Sequence, residues 1–549
     1  MKEIIRNIKK ENEIQKFIYN SEIEEKIDTK FYSREIYTLG IDTMKKIIKI
    51  KVLILGMRGL GVEIAKNIIL LGVNEIQIYD PTITEKRDLG SNFFFSEDDV
   101  DNKRRDEANI KKLSELNHYV KVSVMKGSII NNIKNFNVIV ITEIMKKEKL
   151  IQINEICRKN KIAFIYCGIF GLSGFVFDDF GDEHIILNDN GSDAKKYLIK
   201  KIEKGIVYIN NDILGKGFSL NDGDYVIFHN VGIKELNDGK PRKIKLVSVI
   251  KFEIDEKNDF SKYQGCFTGG YFEEAKLPKK QSHDSFKKIF EKYSNKKIIS
   301  IDSNKIRNDE LIYISIQSLH KYFDKHNSLP KLNNKFQTNE IINQAKEIYE
   351  KNQFQKEIKW DEIIPMKVAS WSQAEISPIC NFLGGIVSNE IIKKTGIYIP
   401  LNQLLLFDFF ETVENLDKNI DRNLKGSRYD DQISIFGNDI QKKLENSNIF
   451  LAGVGSVGCE LLKNFALMGI GTNEGKEVVI SDEKKIRLNN LNSHFLFRKK
   501  NIGLSKSECA KNAVEEINPN FNCKHLKRAV DKKMILYLMK NLLTSKLIL

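Results

Sequence analysis

The chain has 549 residues, with 88 basic and 74 acidic side chains, a net charge of +14 and a pI near 9.1. That length calls for about three to five domains, and 41% hydrophobic with 9% aromatic residues excludes a wholly disordered polymer. No apolar run reaches the ~18 residues of a membrane span, Met1 to Arg6 carry no secretory pattern, and seven scattered cysteines make neither a CxxC pair nor a disulfide framework. A reducing compartment is therefore expected, without structural zinc. The basic excess is spread along the chain and makes no stripe with interleaved aromatics, so neither nucleic acid nor a membrane is an expected partner.

In chain order, the first strong signal is a strand, a turn and a helix. Lys51–Gly56 reads as a buried parallel strand. Met57-Arg58-Gly59-Leu60-Gly61 makes the turn, Val62–Leu71 the helix closed by Gly72, and Glu75–Asp80 a second strand ending on a carboxylate. This is a βαβ unit of the dinucleotide-binding type. Residues 172–278 then alternate in short runs, such as Asp224–His229 and Lys243–Lys251, with a turn at Asn237-Asp238-Gly239, which predicts a small antiparallel β domain. Residues 280–358 read as helices, Asp309–Phe323 among them. Both segments look like insertions into the first α/β domain, which resumes near Met366 and holds the buried helix Pro378–Lys393.

The first layout then recurs. Asn448–Gly453 is a strand, Gly453–Gly458 a turn, Cys459–Met468 a helix and Glu477–Asp482 a second strand. Each unit has the same kind of preface, Tyr32–Gly40 in one case and Tyr429–Gly437 in the other, which identifies an internal duplication. In the second copy Gly453, Gly455 and Gly458 complete GxGxxG, whose backbone N–H groups and helix N-terminus suit phosphate, and Asp482 is placed to accept from a ribose. In the first copy Arg58 replaces the second glycine and fills the space of a pyrophosphate, so that copy is expected to be a structural half.

Together, Tyr32–Gly40, Gly56–Leu70, Pro378–Lys393, Arg428–Gln432, Gly458–Ala466 and Asn490–Phe497 resemble, in order, the N-terminal portion of a eukaryotic ubiquitin-activating enzyme. The resemblance covers nearly the whole chain. It implies two Rossmann-like α/β adenylation domains of the ThiF/MoeB type, the second incomplete, with an inserted small β domain and a helical bundle. The corresponding bounds are 1–171 and 359–420 for the inactive adenylation domain, 172–278 for a first catalytic-cysteine half-domain, 279–358 for a four-helix bundle, and 421–549 for a truncated active adenylation domain. The implied reaction adenylates the ubiquitin C-terminus with ATP and Mg²⁺, then passes the acyl group to a cysteine. Ubiquitin and ubiquitin-conjugating enzymes are the implied partners, in the cytoplasm or nucleus.

Residue by residue, the resemblance gives Gly453, Gly455, Ser456 and Gly458 to the phosphate loop, Asp482 to the ribose, Asn490 and Lys506 to the phosphates, and Arg34 to the γ-phosphate across the pseudo-dimer. Several positions depart from the family pattern. Lys484 stands for a metal-side carboxylate, Ser493 for a phosphate-binding arginine, and His494, read as a surface histidine with donation to phosphate as the alternative, for a glutamine. Cys380 in Pro378-Ile379-Cys380 imitates the start of the thioester site but reads as a core thiol, so the nucleophile is expected beyond residue 549. Residues 534–549 fit no family segment, and a frameshift at Lys532-Lys533 would account for them. Two other readings stay open: a catalytically dead ubiquitin-binding scaffold, and a non-catalytic subunit that helps activate a ubiquitin-like modifier.

Overall fold

A computed structural model describes residues 27–209, 220–255, 266–291, 298–351, 358–414 and 420–530; the 534–549 tail and the Lys532-Lys533 pair lie outside them. The first α/β unit is an eight-stranded sheet in the order Ile298–Ser300, Leu404–Asp408, Ser173–Asp179, Ala163–Phe170, Val138–Ile141, Lys51–Leu55, Glu75–Tyr79 and Lys121–Val124. From Ala163–Phe170 to Lys121–Val124 all neighbours are parallel, whereas Ser173–Asp179 runs antiparallel to both its neighbours. Continuous apolar runs such as Val138–Ile141 are buried throughout, as helices on both faces of a parallel sheet require.

Two expected boundaries move. Ser173–Asp179 was placed in the β insertion, yet all seven residues are buried in the main sheet, so the insertion begins near Lys196. Its strands are antiparallel, and Lys196–Glu203 pairs with both Tyr271–Glu274 and Ile206–Ile209, which closes the sheet on itself. A separate core of Val207, Phe228, Phe252 and Phe272 fills it. Residues 279–358 were read as a helical bundle. However, Lys279–Gln281 pairs with His184–Ile186, and Ile298–Ser300 joins the main sheet. The helices that pack on one another are Ile306–His326, Lys335–Lys351 and Ile363–Ser370, the last of which lies in the segment assigned to the resumed α/β domain. No described helix is long and apolar enough to cross a membrane.

The second α/β unit contributes three parallel strands, Ile449–Ala452, Val478–Ser481 and Cys523–Leu526. It repeats the first in detail. Tyr32 ends the first preface's N-terminal side and its hydroxyl accepts from Asn117 Nδ2 at 2.9 Å, while the same amide donates to Ile69 O. In the second unit Asn518 Nδ2 donates to the Tyr429 hydroxyl at 3.0 Å and to Ala466 O. The two prefaces are helices, Ser33–Leu39 and Asp430–Phe436.

The units meet along the helices Gly59–Leu71 and Ser456–Met468 through a charge quartet in which Glu63, Lys66 and Lys463 are buried and Glu460 is partly exposed. Lys66 Nζ lies 2.7 Å from Glu63 and 2.6 Å from Glu460; Lys463 pairs with Glu63 and, at 2.7 Å, with Glu460. The ring of Phe495 lies 4.9 Å from the Lys66 ammonium, and that of Phe93 4.9 Å from the Lys463 ammonium. One continuous apolar core runs through both units.

Candidate functional site

The glycine loop of the second unit links the strand Ile449–Ala452 to the helix Ser456–Met468. Gly453 has φ +91°, and a Cβ on Gly458 would lie 2.3 Å from Gly453 O, so both positions need glycine for the strand to enter the helix this closely. A Cβ on Gly453 or Gly455 would meet nothing: the space above the loop is open. Ser456 begins the helix and is exposed. Asp482 braces this loop, its two oxygens accepting from Val454 N at 2.9 Å and Lys484 N at 2.8 Å. Each carboxylate oxygen keeps a lone pair for a further donor.

A cavity of about 550 Å³ is lined by Arg34, Lys484, Lys485, Arg487, Asn489, Asn490 and Lys506. Five of these seven are cations, and no carboxylate is among them. Arg34 arrives from the first preface, 459 residues away, and donates to Ser493 Oγ at 2.8 Å. Asn490 is 4% exposed and its Oδ1 accepts from Arg487 N at 2.9 Å, which shapes the turn before it. Lys506, at the start of the helix Lys506–Ile517, is 7% exposed. Burial lowers its pKa, with Arg34 and Lys484 adding repulsion against the pull of Asp482.

Of the residues expected at the site, Arg34, Asn490 and Lys506 therefore line the cavity, whereas Gly453, Gly455, Ser456, Gly458 and Asp482 are not among its lining residues. Asp482 links the two by accepting from Val454 N in the loop and from the N of the lining Lys484. His494 corrects an expectation. It is 2% exposed, stacked on Phe497, and bonded to Ser493 Oγ at 2.9 Å, and burial with Lys506 and Arg34 nearby pushes its pKa down to about 4. Cys380 is fully buried, its thiol pushed well up by burial and by Glu375, so it cannot supply a thiolate. Lys485, Arg487 and Asn489 escaped the sequence reading. Their signal was the density of basic and amide side chains immediately after Asp482.

The first unit shows what the same frame becomes when it is filled from within. Arg58 occupies the helix-capping position that Gly455 holds in the second unit. Its guanidinium lies 3.0 Å from Asp88 and 2.9 Å from Asp431 and donates to Gln373 O at 2.8 Å. Asp88 corresponds to Asn490: each accepts from the backbone N three residues earlier. Arg105, which starts the helix matching that of Lys506, is paired with Asp88 at 2.8 Å. The crossing residues also invert. Arg34 reaches from the first preface into the second unit, and Asp431 reaches from the second preface into the first.

A family model described as "ThiF family" matches residues 32–419 and 429–545. The chain belongs to the ThiF family. As a ThiF-family protein it carries the mixed α/β adenylation fold with a parallel sheet. The resemblance to ubiquitin-activating enzymes is matched by the relatives' names. The chain is 37% identical to "Ubiquitin-like modifier-activating enzyme 1" of Dictyostelium discoideum, over 92% of this chain and 49% of that one. It is 36% identical to "Ubiquitin-activating enzyme E1 1" of Schizosaccharomyces pombe, over 91% of this chain and 48% of that one. With "Ubiquitin-like modifier-activating enzyme 1" of Homo sapiens it shares 34% identity over 90% of this chain and 47% of the human protein. The ThiF-family chain thus spans about half the length of the curated relatives it matches.

Proposed function

We propose that this ThiF-family chain provides the nucleotide-binding half of a ubiquitin-activating enzyme, in which the second unit adenylates the C-terminal carboxylate of ubiquitin. The observation that carries this reading is the charge inversion between the two units. Where the first holds Arg58 against Asp88, Asp431 and Glu375, the second presents an open cavity with five cations and no lining carboxylate. Such a cavity stabilises a polyanion and the charge that develops on phosphorus during attack. In the proposed reaction a carboxylate oxygen of ubiquitin bonds to the α-phosphorus of ATP, the α–β P–O bond breaks, and pyrophosphate leaves.

Arg34, Asn490 and Lys506 are the residues we assign to the phosphates, with Gly453, Gly455, Ser456 and Gly458 cradling them through the loop and Asp482 facing the ribose. Protein ligands for Mg²⁺ are not assigned. The cavity supplies no carboxylate, and no metal-holding cluster of three His, Cys, Asp or Glu side chains occurs among the described residues. The closed β sheet is read as the first catalytic-cysteine half-domain, the three mutually packed helices as the bundle, and the partners as ubiquitin and its conjugating enzymes. Cytoplasmic or nuclear residence suits seven free thiols.

ATP–pyrophosphate exchange measured with ubiquitin tests the reading. Ubiquitin-dependent exchange is expected. No exchange, either in the chain itself or after Ser493→Arg with Lys484→Asp, overturns it in favour of a ubiquitin-binding scaffold.

A further inference from the structure

Ser493 and His494 are bonded to two of the cavity's cations, the exposed Arg34 and the buried Lys506. Arg34 Nη1 lies 2.8 Å from Ser493 Oγ, Ser493 Oγ 2.9 Å from His494 Nδ1, and His494 Nε2 3.4 Å from Lys506 Nζ. An ammonium only donates, so Nε2 of His494 is the acceptor and the proton of the neutral ring sits on Nδ1. That Nδ1–H donates to Ser493 Oγ, which also accepts from Arg34. Both acceptor sites of the serine are then used, and its hydroxyl hydrogen is left to donate elsewhere.

The equivalent pair in the first unit behaves differently on the same backbone. Ser91 N and Asn92 N donate to Asp88 O at 3.1 and 2.8 Å, as Ser493 N and His494 N donate to Asn490 O at 3.1 and 2.8 Å. There, Asn92 Nδ2 is turned inward to Met57 O at 3.0 Å and braces the loop. In the second unit the pair is turned toward the cations instead.

We propose that Ser493 and His494 act as a positioning relay that holds Arg34 and Lys506 at a shared phosphate site, with the Ser493 hydroxyl donating to the same anion. Through this relay two neutral side chains orient the charge already present at Arg34 and Lys506. The proposal rests on the nucleotide reading of the cavity and narrows it to the terminal phosphates, since two cations held apart on the wall of one cavity favour a ligand carrying several charges over one carrying few.

The test is equilibrium binding of ATP and of AMP to the 549-residue chain, with thermal melting as the check on folding. His494→Ala and Ser493→Ala are expected to weaken ATP about tenfold, the scale of one charge-assisted hydrogen bond, while AMP changes less than about twofold. In His494→Gln the amide donates to Ser493 and accepts from Lys506, so the ATP-over-AMP preference returns to within about threefold of the parent. Equal losses for ATP and AMP in the alanine variants, unchanged ATP affinity in both, or a His494→Gln no better than His494→Ala each overturn the relay while leaving the nucleotide reading standing. A parent chain that melts cooperatively but binds no ATP overturns the nucleotide reading and the relay with it.

Discussion

Arg58 and Gly455 occupy one position in two copies of the same frame and decide opposite fates. The Arg58 guanidinium is surrounded by Asp88, Asp431 and Glu375, whose pull outweighs the cost of burial and raises its pKa well above the usual value. Arg58→Met would leave those carboxylates without their cation, and a loss of about 3–5 kcal/mol of stability is expected in denaturant unfolding. A loss below about 1 kcal/mol would show that the cluster relaxes to water instead. Elsewhere one buried histidine contributes to a pH response. His320 is 3% exposed beside the Tyr166 hydroxyl, and burial holds its pKa at about 4. Its value in the unfolded chain is near 6.5, so the unfolded state takes the proton first and stability falls as pH drops from about 6.5 toward 4. Between pH 7 and 5 this group costs about 2 kcal/mol. His320→Gln should lose that much less over the interval, read from melts at the two pH values.

At the scale of elements, the glycine loop separates two roles that GxGxxG merges. A Cβ at Gly458 would strike Gly453 O at 2.3 Å, whereas one at Gly455, with φ −81°, meets no atom within 4 Å. Gly458→Ala is therefore expected to lower the melting temperature by several degrees, about 1–3 kcal/mol by overpacking. Gly455→Ala should leave melting unchanged and, on the proposed nucleotide reading, weaken ATP binding, because its methyl enters the open space above the loop. An equal melting loss in both variants would refute this division. The elements themselves were legible because their signals are local: apolar runs, glycines at fixed spacing, and two prefaces each starting on a tyrosine. Ser173–Asp179 was misplaced because a short apolar run fits an insertion strand or a sheet strand equally well. Ile298–Ser300 is three residues long and joins at the sheet's margin, too short for periodicity to register.

At the scale of the whole molecule, what the sequence could not show was mostly what the two units do to each other. Arg34 was found through its family motif, but nothing local marks Asp431 as its inverted counterpart, and the buried state of His494 depends on Phe497 and on a lysine twelve residues away. The quartet of Lys66, Glu63, Lys463 and Glu460 shows the same limit, since each looks like an ordinary helix-surface charge until the two helices face each other. Lys463→Met removes one of two cations from a buried set with two carboxylates, and a destabilisation of about 3–5 kcal/mol is expected. A Glu63→Gln, Lys463→Met pair should cost less than the sum of the two single changes, as a double-mutant cycle would show.

The position of Arg34 has a consequence for how the molecule stays together. On the proposed nucleotide reading, an anion gripped at once by Arg34 on one unit and by Lys506 on the other would work as a mortar between them, its binding energy tightening their docking as well as filling a pocket. With ligand at a hundred times its dissociation constant, the joint would gain at most about 2.7 kcal/mol, the limit in which the second unit alone binds none. Nucleotide supply would then set how firmly the two halves of this duplicated fold hold each other.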